Sequence, residues 1–305
     1  MNGTSGVPAV RVRGLRKSYG GREAVRGIDL EVRRGEVFAL VGPNGAGKTT
    51  TVEILEGYRP RSRGQVSVLG HDPERRERRL RERIGIVLQS TGVDPYLTVR
   101  ETVELYAGYY PRPRDVDEVL AIVGLVERRD TRVHRLSGGQ RRRLDMAVAL
   151  AGDPELLFLD EPTTGFDPAA RRRAWEVLRT LSGLGKTVFL TTHYMDEAQA
   201  LADRVAVVSQ GRIVAEGPPA TLGDRHLART AIRFRLPEGS RPPLPEAVRR
   251  GDGTVEALVP DATLALHELT GWALERGVRL EGLEVRRPTL EDVYLALTGD
   301  EERGA

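Results

Sequence analysis

The residue pattern best suited to chemistry is a glycine-rich segment that follows a short apolar run. Residues 42–49 read Gly-Pro-Asn-Gly-Ala-Gly-Lys-Thr and match the spacing G-x-x-x-x-G-K-[ST]. Glycines allow backbone N–H groups to curl around phosphate oxygens, and the N-terminus of a following helix adds a favourable dipole. Lys48 can then reach the β- and γ-phosphates of a nucleotide, while the Thr49 hydroxyl can ligate Mg²⁺. The segment therefore predicts a phosphate-binding loop.

Residues 42–49 could instead form an ordinary glycine-rich turn that happens to contain a lysine. We disfavour that alternative because the whole motif falls in register between an apolar run typical of a buried strand and a helix-like stretch. The predicted nucleotide contacts are Gly42, Pro43, Asn44, Gly45, Ala46, Gly47, Lys48, Thr49 and Thr50.

A pair of acidic residues ends a second apolar run, at residues 156–161 (LLFLDE). Carboxylates at the end of a buried strand are costly unless they meet a cation or a solvent-filled site. Asp160 can hold Mg²⁺, and Glu161 can then orient or deprotonate the attacking water. Alone, the pattern equally fits a strand end that opens a polar loop. Together with the phosphate loop, it indicates a hydrolytic site.

A third motif, LSGGQ at residues 136–140, precedes a helix-like stretch. Ser137 is predicted as the N-cap of that helix, and Gly138, Gly139 and Gln140 complete a second anion-binding helix end. The alternative is an ordinary capped helix. The chain thus has two such helix ends but only one with a lysine, an arrangement that makes sense if the second end closes over nucleotide held by another subunit.

Strands and helices alternate around these motifs, which predicts an α/β core built on a largely parallel sheet. From apolar runs and helical periodicity we predict strands at 36–41, 156–160, 187–192 and 204–209, and helices at 48–56, 73–83, 115–126, 168–182 and 195–202. Residues 10–34 alternate like a short β-meander with a turn at 18–21, and residues 204–217 read as a hairpin turning at Gln210 and Gly211. The charged stretch 73–83 is interpreted as a solvated helix with Glu–Arg pairs rather than a nucleic-acid-binding arm.

The composition of the sequence changes after Gly217. Proline- and glycine-rich stretches predict a boundary near residue 218, which divides the chain into domains 1–217 and 218–305. The second is predicted as a small α+β accessory domain. It ends in a short helix with one apolar face, formed by Leu290, Val293, Tyr294 and Leu297.

Composition narrows the classes of function. The chain has 305 residues, 39% hydrophobic and 30% charged, with a formal net charge of only +3. This balance argues against a nucleic-acid-binding charge field. With no cysteine, there is neither a disulfide framework nor a thiolate metal site. No secretory signal and no apolar run of about 18 residues is present, so we expect a cytosolic protein that does not itself span a bilayer.

Across residues 10 to about 217, the conjunction of LSGGQ, the phosphate loop and LLFLDEP resembles the ATP-binding subunit of an ABC (ATP-binding cassette) transporter. The resemblance implies a P-loop NTPase core with an antiparallel β subdomain and a helical subdomain at about residues 90–155. It also implies ATP and Mg²⁺ as cofactors, a homodimer with nucleotide between the subunits, and a separate membrane permease. The subunit would lie peripherally at the cytoplasmic face of the cell membrane.

Further roles follow from the resemblance, residue by residue. Tyr19 lies where the family stacks an aromatic ring on adenine, and Gln89 where a glutamine links Mg²⁺ to the membrane subunit. Asp167, within Gly-Phe-Asp-Pro at 165–168, resembles the aspartate that crosses the dimer, and His193 the histidine that senses the γ-phosphate. The implied catalytic residues are Glu161, His193, Lys48 and Gln89, and the implied metal ligands are Thr49, Gln89 and Asp160.

Two positions depart from the family pattern. Phe166 replaces the usual leucine of the dimer-crossing loop, and Ser90 follows Gln89 where an acidic residue is frequent. Neither removes a catalytic group, so they affect interface packing and coupling rather than chemistry. The tail PTLEDVYLALTG is similar to that of exporters of the daunorubicin-resistance type, which implies export of a drug-like or lipophilic compound and a role in antibiotic resistance.

Other functions remain open at this point. Within the family, the subunit could serve an importer or an exporter of lipid or polysaccharide. A soluble ATPase acting on DNA or ribosomes is disfavoured because only a modest insertion separates residues 42 and 137, and because the chain contains one cassette. A nucleotide-binding regulator without turnover would be expected to lack Glu161 or Lys48, and both are present.

Overall fold

The computed structural model describes residues 7–87, 92–222, 230–237, 239–244, 247–286, 289–292 and 294. The chain divides into two compact units, Met1–Pro219 and Ala220–Ala305. The predicted residues Gln89, Ser90, Val293 and Leu297 lie outside the described residues.

The first unit contains two sheets. The smaller sheet is antiparallel, in the order β2-β1-β4, and consists of β1 (Val10–Tyr19), β2 (Arg22–Val32) and β4 (Arg63–Val68). The larger has the order β5-β6-β7-β3-β8-β9 and consists of β3 (Val37–Val41), β5 (Ile84–Val87), β6 (Leu156–Asp160), β7 (Thr187–Thr192), β8 (Arg204–Ser209) and β9 (Arg212–Gly217). Five of its strands are parallel, and β9 runs antiparallel beside β8. The predicted α/β class and the hairpin at Gln210 and Gly211 are confirmed.

Helices surround the larger sheet and fill the segment between β5 and β6. They are α1 (Lys48–Leu55), α2 (Arg78–Arg81), α3 (Val99–Ala107), α4 (Val116–Ile122), α5 (Gly138–Leu150), α6 (Pro168–Gly183) and α7 (Met195–Leu201). The apolar core joins the two sheets, with Leu15 and Ile28 of the smaller sheet in one cluster with Phe38, Phe158 and Phe189 of the larger. Every residue of β3, β6 and β7 is buried, as continuous apolar runs require.

The three central strands bring the motifs to one edge. β6, β7 and β3 are adjacent and parallel, with Asp160 paired to Thr191 and Val41 paired to Thr192. Because parallel strands end at the same edge of a sheet, the segments that follow Val41, Asp160 and Thr192 converge there.

Two predicted helices are wrong in extent. The stretch 73–83 is not one helix: a 3-10 turn at Pro73–Arg75 is separated from α2 by Arg76, whose φ of 51° lies in the left-handed region and ends the helical turn. The predicted helix 115–126 ends at Ile122, because the chain turns at Gly124 with a φ of 65° and re-enters as a 3-10 turn at Val126–Arg128.

The second unit is a four-stranded antiparallel sheet in the order β11-β12-β10-β13 with one helix. Its elements are β10 (Thr230–Arg235), β11 (Val248–Arg249), β12 (Thr254–Val259), α8 (Ala262–Glu275) and β13 (Glu281–Arg286). Alternation along β10 and β12 directs Ile232, Phe234 and Val255 to the side covered by Leu269 of α8. The described residues of the whole chain include no helix long and apolar enough to cross a membrane.

Candidate nucleotide site

The phosphate loop joins β3 to α1, and two of its glycines are required by close backbone contacts. A Cβ on Gly42 would lie 2.3 Å from the carbonyl oxygen of Val208, and a Cβ on Gly47 would lie 2.6 Å from that of Ala24. Gly47 also has a φ of 103°, a backbone conformation that residues other than glycine rarely adopt. The loop is thus held tightly against β2 and β8, and the helix N-terminus at Lys48 faces outward beside it.

Lys48 is folded over this loop. Its side chain is 4% exposed, and Nζ donates hydrogen bonds to the carbonyl oxygens of Gly42 at 2.8 Å and Pro43 at 3.1 Å. Nζ also lies 3.7 Å from Oε1 of Glu161. Burial lowers the pKa of Lys48, while the charges of Glu161 and Asp160 oppose that shift. A buried cation with acceptors on one side is suited to an anionic ligand on the other.

The acidic pair follows β6. Asp160 is buried, and its carboxylate accepts a hydrogen bond from the Thr191 hydroxyl on the neighbouring strand. Glu161 has a φ of 47°, an uncommon left-handed backbone for a non-glycine residue, and its N–H donates to the Thr191 carbonyl at 3.1 Å. Such strained backbone is often found at functional sites. Here it turns the Glu161 side chain out of the strand direction, towards Lys48.

His193 completes this cluster from the end of β7. Its Nδ1 lies 3.2 Å from Oε1 of Glu161, the oxygen that faces Lys48. The other Glu161 oxygen accepts a hydrogen bond from the Thr164 hydroxyl at 3.1 Å. The structure therefore brings together Lys48, Asp160, Glu161 and His193 from three adjacent strand ends. A carboxylate so placed can accept a proton. The Lys48 cation and the His193 imidazole beside it can interact with an anionic ligand.

The predicted capped helix end at Ser137 is confirmed. The Ser137 hydroxyl accepts from the Gln140 N–H at 3.3 Å, and the Gln140 side chain accepts from the Ser137 N–H at 2.9 Å, which is a capping box at the start of α5. A Cβ on Gly139 would touch Ala170 in the first turn of α6. The Asp167 carboxylate caps α6, accepting from the N–H groups of Ala169 and Ala170 at 2.9 and 2.8 Å.

These two helix ends border one open cleft of about 880 Å³. Its lining includes the whole of Ser137–Gln140, Glu161, Phe166 and Asp167. Lys48 is not among its lining residues. The predicted contacts thus fall into two groups, a cluster around Lys48 and an exposed helix end beside Asp167, and Glu161 belongs to both.

Tyr19 lies at the end of β1 and is 40% exposed. Two cations approach its ring: Nζ of Lys17 lies 5.0 Å and the guanidinium carbon of Arg59 lies 5.4 Å from the ring centre. Arg59 is held by both carboxylate oxygens of Glu53, which belongs to α1. This connection ties the surroundings of Tyr19 to the helix that follows the phosphate loop.

The oxygen donors fit a magnesium ion that a nucleotide helps to bind. Mg²⁺ prefers hard oxygen ligands and usually takes one or two from protein while phosphates and water supply the rest. Asp160 and the exposed Thr49 offer such oxygens beside the phosphate loop, and Gln89 lies outside the described residues. Within the described ranges, no group of three or more acidic or histidine side chains could hold a metal alone.

Some residues that contact this site were not predicted from the sequence. Arg142, two residues after LSGGQ, is buried and donates to the carbonyl oxygens of Pro162 and Asp160, both at 3.3 Å. It connects the start of α5 to the segment that carries Glu161. In the sequence it stands in a run of three arginines, which resembles a solvated helix face. Thr191 and Glu197 were also missed, because their partners are distant in sequence.

Comparison with known families agrees with both units. Residues 25–164 match the family described as ABC transporter, and residues 230–289 match the C-terminal domain of ABC transporter domain-containing protein-like chains. Among curated relatives, the daunorubicin resistance ATP-binding protein DrrA3 of Streptomyces coeruleorubidus is 40% identical over 97% of each chain. The Nod factor export ATP-binding protein I of Rhizobium sp. (strain N33) is 40% identical over 96% of this chain and 98% of its own.

Solved structures share the fold. The cbiO1 protein of Clostridium perfringens, part of the ABC transporter complex cbiONQ, is 32% identical and superposes with a TM-score of 0.65 over 70% of this chain and 90% of its own. The ATP-binding cassette MJ0796, solved as a dimer with ADP and Pi, is 26% identical with a TM-score of 0.61 over 68% of this chain and 98% of its own. With its phosphate loop, acidic pair and full-length relatives, the chain belongs to the ABC transporter family, as an ATP-binding subunit with ATPase activity.

Proposed function

We propose that two copies of this chain bind two ATP–Mg²⁺ between them and power a separate membrane permease, in an exporter of a drug-like or lipophilic compound. The observation that carries the proposal is the division of the predicted contacts into two groups. Lys48, Asp160, Glu161 and His193 form one cluster, whereas Ser137, Gly139 and Asp167 border an exposed cleft that Glu161 also lines and Lys48 does not.

The buried cluster has the groups that hydrolysis requires. Lys48 compensates the charge of the β- and γ-phosphates, and Tyr19 stacks on the adenine. Asp160, Thr49 and Gln89 hold Mg²⁺. Glu161 accepts a proton from water as the water oxygen attacks the γ-phosphorus, and the bond to the β–γ bridging oxygen breaks to release ADP. His193, beside Glu161, contacts the γ-phosphate.

The exposed helix end supplies the second half of each site. The first N–H groups of a helix have no partner within it, so the start of α5 can bind the phosphates of nucleotide held by a second copy. Asp167 then lies next to the partner at the same cleft. The related MJ0796 cassette was solved as a dimer with ADP and Pi, which supports this arrangement.

A groove in the first unit supports a separate membrane partner. It measures about 450 Å³, and its lining includes Glu56, Tyr58, Tyr106 and Tyr110. Tyr58 is 57% exposed, although large aromatic side chains favour burial. The Glu56 carboxyl is buried, which raises its pKa to about 8. We propose that a permease segment carrying apolar side chains occupies this groove, placing the subunit at the cytoplasmic face of the membrane.

The direction and class of cargo rest on relatives. One is named for daunorubicin resistance and another for Nod factor export. The second name states export, and both relatives match this chain along almost its whole length. An exporter of a lipophilic compound is therefore favoured over an importer.

The test uses Glu161→Gln, which keeps the size and one acceptor oxygen but removes the basic carboxylate. We expect ATP binding to survive and turnover to fall at least about 100-fold. Uncleaved ATP should then hold two subunits together, because a ligand that binds the closed dimer shifts monomers towards it. Size exclusion should give a monomer without nucleotide and a dimer with ATP and Mg²⁺.

Adding Ser137→Arg should abolish that dimer, since bulk and charge at the start of α5 block the partner's phosphates. Glu127→Arg adds a similar bulk and positive charge at an exposed residue that does not line the cleft, and it is the matched control. A Glu161→Gln protein that stays monomeric with ATP, both alone and in complex with its permease, would contradict the shared site.

A further inference from the structure

A carboxylate outside the proposed set of catalytic groups is the most completely buried acid beside the site. Glu197 of α7 is 0% exposed, and its Oε1 accepts hydrogen bonds from the Thr163 hydroxyl at 2.8 Å and from the Trp175 indole at 3.2 Å. Burial raises the pKa of Glu197, and the hydroxyls of Thr192 and Thr163 and the indole oppose that shift. Among the described residues, no salt bridge to Glu197 is formed.

Two donors, Thr163 and Trp175, and Thr192, whose hydroxyl opposes the rise in the pKa of Glu197, belong to three different segments of the site. Thr163 lies two residues after Glu161, in the turn that leads to Asp167. Trp175 is on α6, the helix that Asp167 caps. Thr192 is the last residue of β7 and precedes His193 directly. One buried carboxyl group therefore connects the segment that carries Glu161, the helix behind the exposed cleft, and the strand end that carries His193.

This connection is costly for the fold. Taking a carboxylate out of water without a cation requires strong compensation, and an apolar side chain of similar volume often gives equal or greater stability. Neutral hydroxyl and indole donors compensate only in part, and Oε2 of Glu197 accepts no hydrogen bond within the described structure. Stability alone therefore gives little reason for a carboxyl group here.

A neighbouring contact, which does not involve Glu197, also joins Arg171 of α6 to the start of α7. Arg171 of α6 lies 3.4 Å from the Asp196 carboxylate, and its guanidinium carbon is 4.4 Å from the centre of the Tyr194 ring. Removing Glu197 therefore leaves a second link between the two helices. Its specific effect falls on Thr163 and Thr192, the positions nearest Glu161 and His193.

We infer that Glu197 is a positioning residue for hydrolysis, which fixes the distance between Glu161 and His193 by holding Thr163 beside the end of β7. The inference rests on the proposed function of Glu161 and His193. It adds that the positions of Glu161 and His193 depend on the buried Glu197 carboxyl group, as well as on the ends of β6 and β7.

The test compares Glu197→Ala, Glu197→Gln and the neighbouring control Asp196→Asn in the full chain, by steady-state ATP turnover and nucleotide binding. A displacement of about 1 Å in a catalytic group can cost about 100-fold in rate. We expect Glu197→Ala to lower kcat by about 10- to 100-fold while the KM for ATP changes less than about 3-fold, because the phosphate loop is untouched. Glu197→Gln keeps an acceptor for Thr163 and Trp175 and should restore most of the rate.

Thr163→Val removes one donor at nearly constant volume, and Trp175→Phe removes the other while keeping a smaller aromatic ring. Both carry the test if Glu197→Ala fails to fold. Thr163→Val should lower kcat, and combined with Glu197→Ala it should add little, because both changes break the same contact. Amide hydrogen exchange should rise in 161–167 and around His193, and stay unchanged in 42–56.

Full kcat in both Thr163→Val and Trp175→Phe, or strictly additive effects of Thr163→Val and Glu197→Ala, would overturn the inference. Loss of kcat and nucleotide binding together in Glu197→Ala would show a merely structural role. Glu161→Gln separates the two levels: if it remains active, the proposed hydrolytic site is wrong. If it is inactive while the Glu197 and Thr163 variants are active, only the positioning role is wrong.

Discussion

Two helix N-termini of the first unit, those of α1 and α5, have the same type of backbone geometry but differ in burial and in exposure to solvent. At α1, the phosphate loop is pressed against β2 and β8, and Lys48 and Glu161 are 4% and 11% exposed. At α5, Ser137 and Gly138 are exposed and border an open cleft. Each of the two side chains, of Ser137 and of Gln140, accepts a hydrogen bond from the backbone N–H of the other residue, so both are engaged in the capping box.

The difference teaches how one chain can hold two halves of different sites. The α1 end has buried charges beside the phosphate loop, and we propose that it holds the nucleotide phosphates. The α5 end offers a backbone dipole in an open cleft that Arg141 and Arg173 also line, and we propose that it closes over nucleotide already held by a partner. Arg142 joins the two ends, since it lies on α5 and donates to the carbonyl of Asp160.

The largest expected effect comes from the charged end. Lys48→Ala removes the cation that faces the phosphates and should lower ATP turnover by at least about 100-fold in a folded protein. Of the three lysines, Lys186 offers a control, because it pairs with Asp153 at 2.8 Å away from the phosphate loop. Turnover and circular dichroism of Lys48→Ala and Lys186→Ala would be compared. Near-normal turnover in Lys48→Ala would contradict the proposed role of the charged α1 end in ATP hydrolysis.

A smaller effect is expected at the aromatic ring near the charged end. Base stacking on an aromatic side chain contributes about 1–2 kcal/mol, so Tyr19→Ala should raise the KM for ATP about 5- to 30-fold and leave kcat nearly unchanged. Tyr19→Phe keeps the ring and is the matched control. A large fall in kcat with unchanged nucleotide affinity would contradict the stacking role and would indicate that Tyr19 acts on the reacting groups.

The proposed membrane partner can be separated from both helix ends. Tyr58→Asp places a charge in the aromatic groove without touching the phosphate loop, so it should reduce co-purification with the permease about 10-fold and leave nucleotide binding within about 2-fold. Exposed Tyr96, at 74%, does not line that groove and serves as the control Tyr96→Asp. Undiminished co-purification of Tyr58→Asp would remove the groove as the docking surface.

The charged end was predictable from sequence because each of its parts is local. The phosphate loop and the acidic pair end continuous apolar runs, and parallel strands necessarily bring such ends to one edge. The capping box at Ser137 and Gln140 is also local, since its two bonds join residues three positions apart. These features needed no knowledge of tertiary contacts.

The connections between the ends were not predictable, because they depend on long-range packing. Arg142 and Glu197 are charged residues on helices, and periodicity assigns such residues to solvent. Both are buried, with partners 18 to 34 positions away in sequence. The break at Arg76 was missed for another reason: a non-glycine residue in the left-handed region leaves no signal in charge or hydropathy.

The smallest expected effect concerns the second unit. Both helix ends and every nucleotide contact proposed above lie within Met1–Pro219, so a chain ended after Pro219 should bind ATP–Mg²⁺ with an affinity within about 3-fold of the full chain. The measurement is a titration with a fluorescent ATP analogue, with Lys48→Ala in the same shortened chain as the control that should not bind. The ATP-dependent dimer of Glu161→Gln should also persist in it, because the two half-sites are both retained. A shortened chain that is folded but binds no nucleotide would show that the second unit contributes to the site, and that the α1 end is not sufficient by itself.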